Sequence, residues 1–237
     1  MFVTGFPSAM FATNCFVLAP APGEQCVVVD PGIDVVPQLD AVLAEHKLQP
    51  VAVLLTHGHL DHTFSVQPVC GARGIPAWIH PDDEELLHDP GKALSMSLDQ
   101  LFGGRRTYTE PDDVKLLTDG GTLELAGLTF TVDHAPGHTR GSVMFRLPPD
   151  PDAGQWAVPE QVLLSGDVLF QGSIGRTDLP GGSYEQMLDS LARKILPLDD
   201  GTIVLPGHGG ATTIGNERAT NPYLAEAAPL AGPNRGM

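Results

Sequence analysis

Six apolar runs rich in β-branched residues, each closed by turn formers, punctuate the chain: CVVVDPG at 26–32, VAVLLTH at 51–57, TLELAGLTFTVDHAPGH at 122–138, SVMFRL at 142–147, VLLSGD at 162–167 and TIVLPGH at 202–208. Short stretches of this kind predict strands. Ala126-Gly127, inside the third run, predicts a tight turn between two antiparallel strands. Three segments read as helices instead: VVPQLDAVLAEHKL at 35–48, PDDEELLHD at 81–89 with its acidic first turn, and SYEQMLDSLARKIL at 183–196. In the last, Ser183 is placed as an N-cap and Met187, Leu188, Leu191 and Ile195 form a core-facing stripe. PPDPDAGQWAVPE, at 148–160, predicts a surface loop between two strands, and residues from about 225 to 237 a weakly ordered tail. Nothing in the middle reads as a linker, so residues 1–237 are expected to form a single domain.

Four of the predicted strands end in a turn that carries an acidic residue or a histidine: VVVDPG, LLTHGH, LLSGD and VLPGH. Strands of mixed sheets that end along one edge bring such residues into a single cleft. A site is therefore expected at that edge.

Charge narrows the choice of partner. A formal net charge of −16 with only 13 Lys and Arg leaves no general basic surface for nucleic acid or an anionic membrane. A small-molecule substrate remains, held by one or two local arginines if it is anionic. Cys15, Cys26 and Cys70 have no CxxC spacing and are odd in number, so neither a disulfide framework nor a cysteine metal site is expected, and a reducing cytoplasm fits. The first residues lack the basic n-region of a signal peptide, and no run approaches the ~20 apolar residues of a membrane span. A cytoplasmic protein is expected, as a monomer or small homo-oligomer.

The candidate chemistry is concentrated in THGHLDH. His57 and His59 alternate along an extended segment and so share a face. Asp61 and His62 follow where the chain should turn into a helix, which would aim them at a second ion beside the first. Imidazoles and a carboxylate without thiolates suit zinc, iron or manganese. His138 in APGHTRGS and His208 in LPGHGG each follow a glycine, which allows close backbone approach or a positive φ. Asp167 in LLSGDVLF can bridge two cations. His46 and His88 read as exposed helix residues, His80 as a loop residue, and His134 as packed or hydrogen-bonded.

Taken in order, THGHLDH, PGHTRGS, SGDVLF and PGHGG resemble the metallo-β-lactamase superfamily of metal-dependent hydrolases, from VVVDPG to about PGHGG. Through SGDVLFQGSIGRTDLPGGSYEQML and TTIGNERATNPYL the chain is similar to the short glyoxalase II-like (hydroxyacylglutathione hydrolase-like) group. The resemblance implies an α/β fold, a four-layer αββα sandwich of two mixed sheets flanked by helices, with a dinuclear site at one edge. It implies that His57, His59 and His138 hold one divalent ion, that Asp61, His62 and His208 hold the other, and that Asp167 bridges them. Zinc is the first choice of metal, with iron and manganese as alternatives. His59, Asp61 and Asp167 would serve catalysis, in which a hydroxide shared by the ions attacks a thioester. Asp30 would support the ligands without binding metal. Arg176 and Ser173 fall in the loop that contacts glutathione in that group, although Arg176 could equally pair with Asp178.

The expected substrate is a small thioester, a glutathione conjugate among the candidates. However, little of the basic C-terminal region that grips glutathione follows His208. Alternatives are a persulfide dioxygenase with one iron, which usually has a cysteine where this chain reads Gly172-Ser173-Ile174, and a lactonase of the same superfamily. A non-catalytic metal-binding protein is disfavoured because every ligand position is filled.

Overall fold

The computed structural model describes residues 1–94, 97–151, 154, 158 and 160–231. Two mixed six-stranded sheets face each other. The first runs in chain order through β1 (Phe2–Pro7), β2 (Asn14–Ala19), β3 (Gln25–Val29), β4 (Gln49–Leu54), β5 (Ala77–Ile79) and β6 (Val114–Leu116). Its first three strands pair antiparallel and its last four parallel. The second holds β7 (Thr122–Leu125), β8 (Leu128–His134), β9 (Val143–Leu147), β10 (Val162–Gly166), β11 (Ile203–Pro206) and β12 (Thr212–Thr213), of which only β10 and β11 are parallel. β7 and β8 form the expected hairpin, with both turn residues, Ala126 and Gly127, at positive φ.

Strict alternation along each strand feeds different layers, which is why these strands read as unbroken apolar runs rather than half-polar ones. Cys26 and Val28 of β3 face outward with Val53 of β4, onto Leu39 and Leu43 of α1 (Val36–His46) and Val66 and Val69 of α3 (Val66–Gly71). Between those two helices lies the short α2 (Leu60–Thr63). Val27, Val29 and Leu54 face inward, onto Phe130, Val132, Phe145 and Leu164 of the second sheet. On the far side, Met144, Leu163 and Val204 meet Met187, Leu191 and Ile195, and also Leu224. Burying side chains of this size contributes roughly 1.5–3 kcal/mol each.

Beyond α3 come α4 (Pro81–His88), with His80 as N-cap, and α5 (Leu98–Phe102). The helix expected at 183–196 is α6 (Tyr184–Ser190), capped by Ser183 as expected, and then a π-helical turn at Leu191–Ile195. α7 (Ile214–Thr220) and α8 (Pro222–Ala227) follow.

The expected weak order from 225 does not hold up to residue 231. The chain continues through α8 and a 3-10 turn at Ala228–Ala231, because Leu224 and Ala227 are buried against the α6 layer. Residues 232–237 lie outside those described. Part of the loop expected at 148–160 also lies outside them; within it Asp150 and Val158 pair as an isolated antiparallel bridge. The three cysteines are free and buried, and burial pushes the Cys26 and Cys70 thiols up to about 12. No helix among the described residues is long and apolar enough to cross a membrane.

Candidate metal centre

The strand ends converge as the sequence suggested. Asp30 follows β3, His57 and His59 follow β4, Asp167 follows β10 and His208 follows β11, while His138 sits on the loop between β8 and β9. Asp61 and His62 lie in α2, the helical turn expected there. Three overlapping groups, each with ligand atoms within 4.8 Å of one another, result: His57, His59 and His138; His57, His62 and Asp167; Asp61, His62 and His208. Asp167 stands between them, with Oδ2 at 3.4 Å from His138 Nε2 and 3.5 Å from His208 Nε2, and Oδ1 at 3.5 Å from His62 Nε2.

The two glycines before histidines act differently. Gly137 combines φ +144° with a close approach, since a Cβ there would lie 2.5 Å from the Met187 backbone, whereas Gly207 is a close approach alone, its Cβ position 2.2 Å from Asp167 Oδ1.

Hydrogen bonds on the far side of each ring fix which nitrogen faces the site. His138 Nδ1 lies 2.8 Å from the Arg176 carbonyl and His208 Nδ1 lies 3.1 Å from the Phe11 carbonyl. A carbonyl only accepts, so both rings carry a proton on Nδ1. His62 Nδ1 donates to Asp30 Oδ2 at 2.9 Å. The Thr56 hydroxyl gives its proton to Asp30 at 2.6 Å, so His57 Nδ1, 3.0 Å away, must donate to it. On His57 and His138 Nε2 is thereby left as a lone pair turned inward, whereas His62 and His208 turn Nε2 toward the carboxylates of Asp61 and Asp167.

His57 and His138 present such lone pairs to each other at 3.2 Å, an arrangement that needs a cation between them. His59 Nε2 and Asp167 Oδ1 are buried with no hydrogen-bond partner. Burial, reinforced by the neighbouring histidines, holds His57 well below its usual range and His59 down at about 3, so both rings are neutral, the form that binds metal. His62 goes the other way. Burial works against its charge, but Asp61, Asp167 and Asp30 outweigh that and push it up to about 10. Asp61 is likewise opposed by burial, yet the charge of His62 and hydrogen bonds from His208 and Thr13 hold it well below its usual range. The donor set, its orphaned atoms and its lone pairs fit divalent ions.

A fourth group, His80, Asp82 and His134, has ligand atoms equally close together. Its two rings stack at 3.9 Å and 9°, so their in-plane lone pairs run side by side instead of converging. This is the packed role expected of His134, whose Nε2 donates to the Arg140 carbonyl at 2.8 Å. Of the remaining histidines, His88 is exposed as expected, whereas His46 is half-buried beside the Phe2 ring.

Asp30 belongs to none of the ligand groups and stands behind His62 and Thr56. A cavity of about 700 Å³ opens over His59, Asp61, His138, Asp167 and His208, walled by apolar residues including Phe11, Leu94, Phe170 and Leu179. Arg176 lines it, but its guanidinium is engaged by Asp178 through two bonds of 2.8 and 2.7 Å. Ser173 departs from expectation. It is not among the cavity-lining residues, its backbone pairs with Phe170, and its hydroxyl turns to the Ile174 carbonyl.

Several residues that shape the site were not singled out from sequence. Thr13 donates to Asp61 at 2.9 Å from the loop between β1 and β2. Glu217, fully buried, accepts from the Gly172 N–H at 2.7 Å, and Asn221 Nδ2 donates to the Ser173 carbonyl at 3.1 Å. This pair, four residues apart on TTIGNERATNPYL, holds the turn that presents Phe170. Asp83 is also buried, and its spacing from buried Leu87 is the sequence signal that it faces inward.

The metallo-β-lactamase superfamily pattern matches residues 10–208, and the chain belongs to that superfamily. It is 34% identical to the hydroxyacylglutathione hydrolase GloC of Haemophilus influenzae, over 92% of this chain and 95% of that protein. The BLEG-1 B3 metallo-β-lactamase superimposes with a TM-score of 0.78 at 40% identity, covering 94% of this chain and 99% of that one. TTHA1623, solved in a di-iron-bound form, does so with a TM-score of 0.74 at 35% identity, covering 93% and 100%.

Proposed function

We propose that the chain is a metal-dependent hydrolase that cleaves thioesters, with His57, His59 and His138 holding one divalent ion, Asp61, His62 and His208 a second, and Asp167 shared. The observation that carries this reading is the pair of bare Nε2 lone pairs on His57 and His138, 3.2 Å apart. Ions held there would supply an activated water and an electrophile for the carbonyl oxygen. Zinc suits the ligand types, and iron is supported by the di-iron form of TTHA1623.

Asp61, kept ionised and facing the cavity, can accept a hydrogen bond from that water and orient it. Asp30 and the Arg176 and Phe11 carbonyls engage Nδ1 of their rings and so hold Nε2 toward the site. A thiolate with a pKa near ~8.5 leaves without a strong general acid. The cavity wall favours an apolar acyl or thiol portion. Among the described residues that line the cavity the one arginine is paired with Asp178, so the described wall presents no unpaired cation to the carboxylates of glutathione. Hydroxyacylglutathione stays among the candidate substrates through the similarity to GloC.

The test is metal analysis combined with a substrate panel of S-lactoylglutathione, acyl thioesters with longer apolar chains, and lactones. Thioester turnover with two ions per chain is expected. One iron per chain with oxygen uptake on glutathione persulfide and no hydrolysis would sink the proposal. Hydrolysis of β-lactams is the second reading, favoured by the 40% identity to BLEG-1, and a chromogenic cephalosporin in the same panel separates the two.

A further inference from the structure

Asp83 sits in the first turn of α4, where an acidic residue ordinarily faces water and complements the helix dipole. Here it is 1% exposed, and no cation neutralises it among the described residues. Burying a carboxylate costs several kcal/mol unless hydrogen bonds replace its hydration.

Three donors meet that need, and their origin is specific. The Gly58 N–H reaches Oδ2 at 2.8 Å, the Thr139 hydroxyl reaches Oδ2 at 2.6 Å, and the Gly141 N–H reaches Oδ1 at 2.7 Å. Gly58 lies between His57 and His59, and Thr139 and Gly141 follow His138. All the hydrogen bonds to this buried carboxylate come from the two loops that carry the first group of histidines. None comes from the segments that carry Asp61, His62, Asp167 or His208.

We infer that Asp83 is a positioning residue for the first ion: it clasps the His57–His59 loop to the His138 loop and so sets the spacing of three ligands that lie far apart in sequence. The inference rests on the proposed metal reading. Charge is part of the clasp. An amide at position 83 would turn its NH2 either toward the Gly141 N–H or toward the Gly58 N–H, leaving a donor facing a donor. A carboxylate satisfies both loops at once. The second group depends on other partners, since Asp30 orients His62 and the Phe11 carbonyl orients His208.

The experiment reads ion affinity, not turnover. Zinc-loaded wild-type protein is titrated with a competing chelator. The release step belonging to each group is assigned with His59→Ala, which belongs only to the first, and His208→Ala, which belongs only to the second. In Asp83→Asn the first-group step should weaken by about 10- to 100-fold, the range found when a partner behind a ligand is lost, with the other step unchanged. Thr139→Val removes one donor without burying a new polar group and should move the same step by less. It decides the matter if Asp83→Asn fails to fold. Two steps that shift together, or neither shifting, would overturn the clasp. A wild type that retains no divalent ion would overturn the metal reading itself, and the clasp with it.

Discussion

The two halves of the metal centre are built on opposite principles. His57, His59 and His138 are all buried, and the first two are held neutral by burial and by one another. Asp61 and His208 are half-buried at the cavity, and with His62 they form a group in which Asp61 is held ionised and the nearby carboxylates favour the charged forms of the two rings. The first group offers lone pairs without compensating charge, so its geometry must be imposed from outside, by loops tied to Asp83. The second already satisfies itself in part, a proton on His62 balancing the carboxylates around it. Neutrality on one side and charge on the other thus divide the centre, while the cavity opens on both, over His59 and His138 as well as Asp61 and His208.

Asp167 belongs to both halves, and its loss tests whether they are one centre. Asp167→Asn should lower thioester turnover and the retention of both ions by more than ~100-fold, above the range for partners behind the ligands. A variant that keeps one tightly held ion would mean that the halves are independent. Asp30→Asn comes next. Asp30 holds His62 directly at 2.9 Å and His57 only through Thr56, so the second group should weaken by about 10- to 100-fold and the first by less. Chelator titration of the two release steps reads both results.

Proton inventory separates the halves more finely. At pH 7 His62, with its pKa raised to about 10, holds a proton that an incoming ion must expel, whereas His57 and His59 have none to give up. Affinity at the second group should therefore rise about tenfold per pH unit from neutral toward pH 10 and flatten above it, because each proton displaced couples binding to pH once. The contribution of His57 and His59 should be flat over the same range. Calorimetry of zinc binding in buffers of different ionisation enthalpy counts these protons, and equal release at both steps would contradict the contrast.

The sequence shows part of both halves more readily than what supports them. His57, His59, Asp61 and His62 stand together in one turn, and the strands around them are legible because burial on both faces makes them uniformly apolar. β1 and β2 were not legible: FVTGFP is interrupted by Gly5 and Pro7, and NCFVLA begins on a polar residue, yet the loop between them brings Thr13 to Asp61. β5 is three residues long, too short for a period. Asp83 and Glu217 look like ordinary helix charges, because a sequence records that a carboxylate is present but not that backbone N–H groups from distant loops will surround it. For the same reason Ser173 looked like a substrate contact. Its role depends on Glu217 and Asn221 holding the turn, which no local pattern reveals.

The smallest expected effect falls on the half that the β1–β2 loop supports. Thr13→Val removes the one threonine hydroxyl on Asp61 while keeping the side chain's shape. A hydrogen bond to a charged group contributes about 1.5–3 kcal/mol when well shielded. Asp61 is half-buried, so the lower end applies, which corresponds to about a tenfold loss of affinity at the second group. The first-group step should not move, because Thr13 touches neither of its loops. Thr13→Val and Asp83→Asn thus form a reciprocal pair, each expected to loosen one ion and spare the other. If Thr13→Val loosened the first ion as well, Asp61 would be shaping the whole centre, and the division between a neutral, buried half and a charged half would fail.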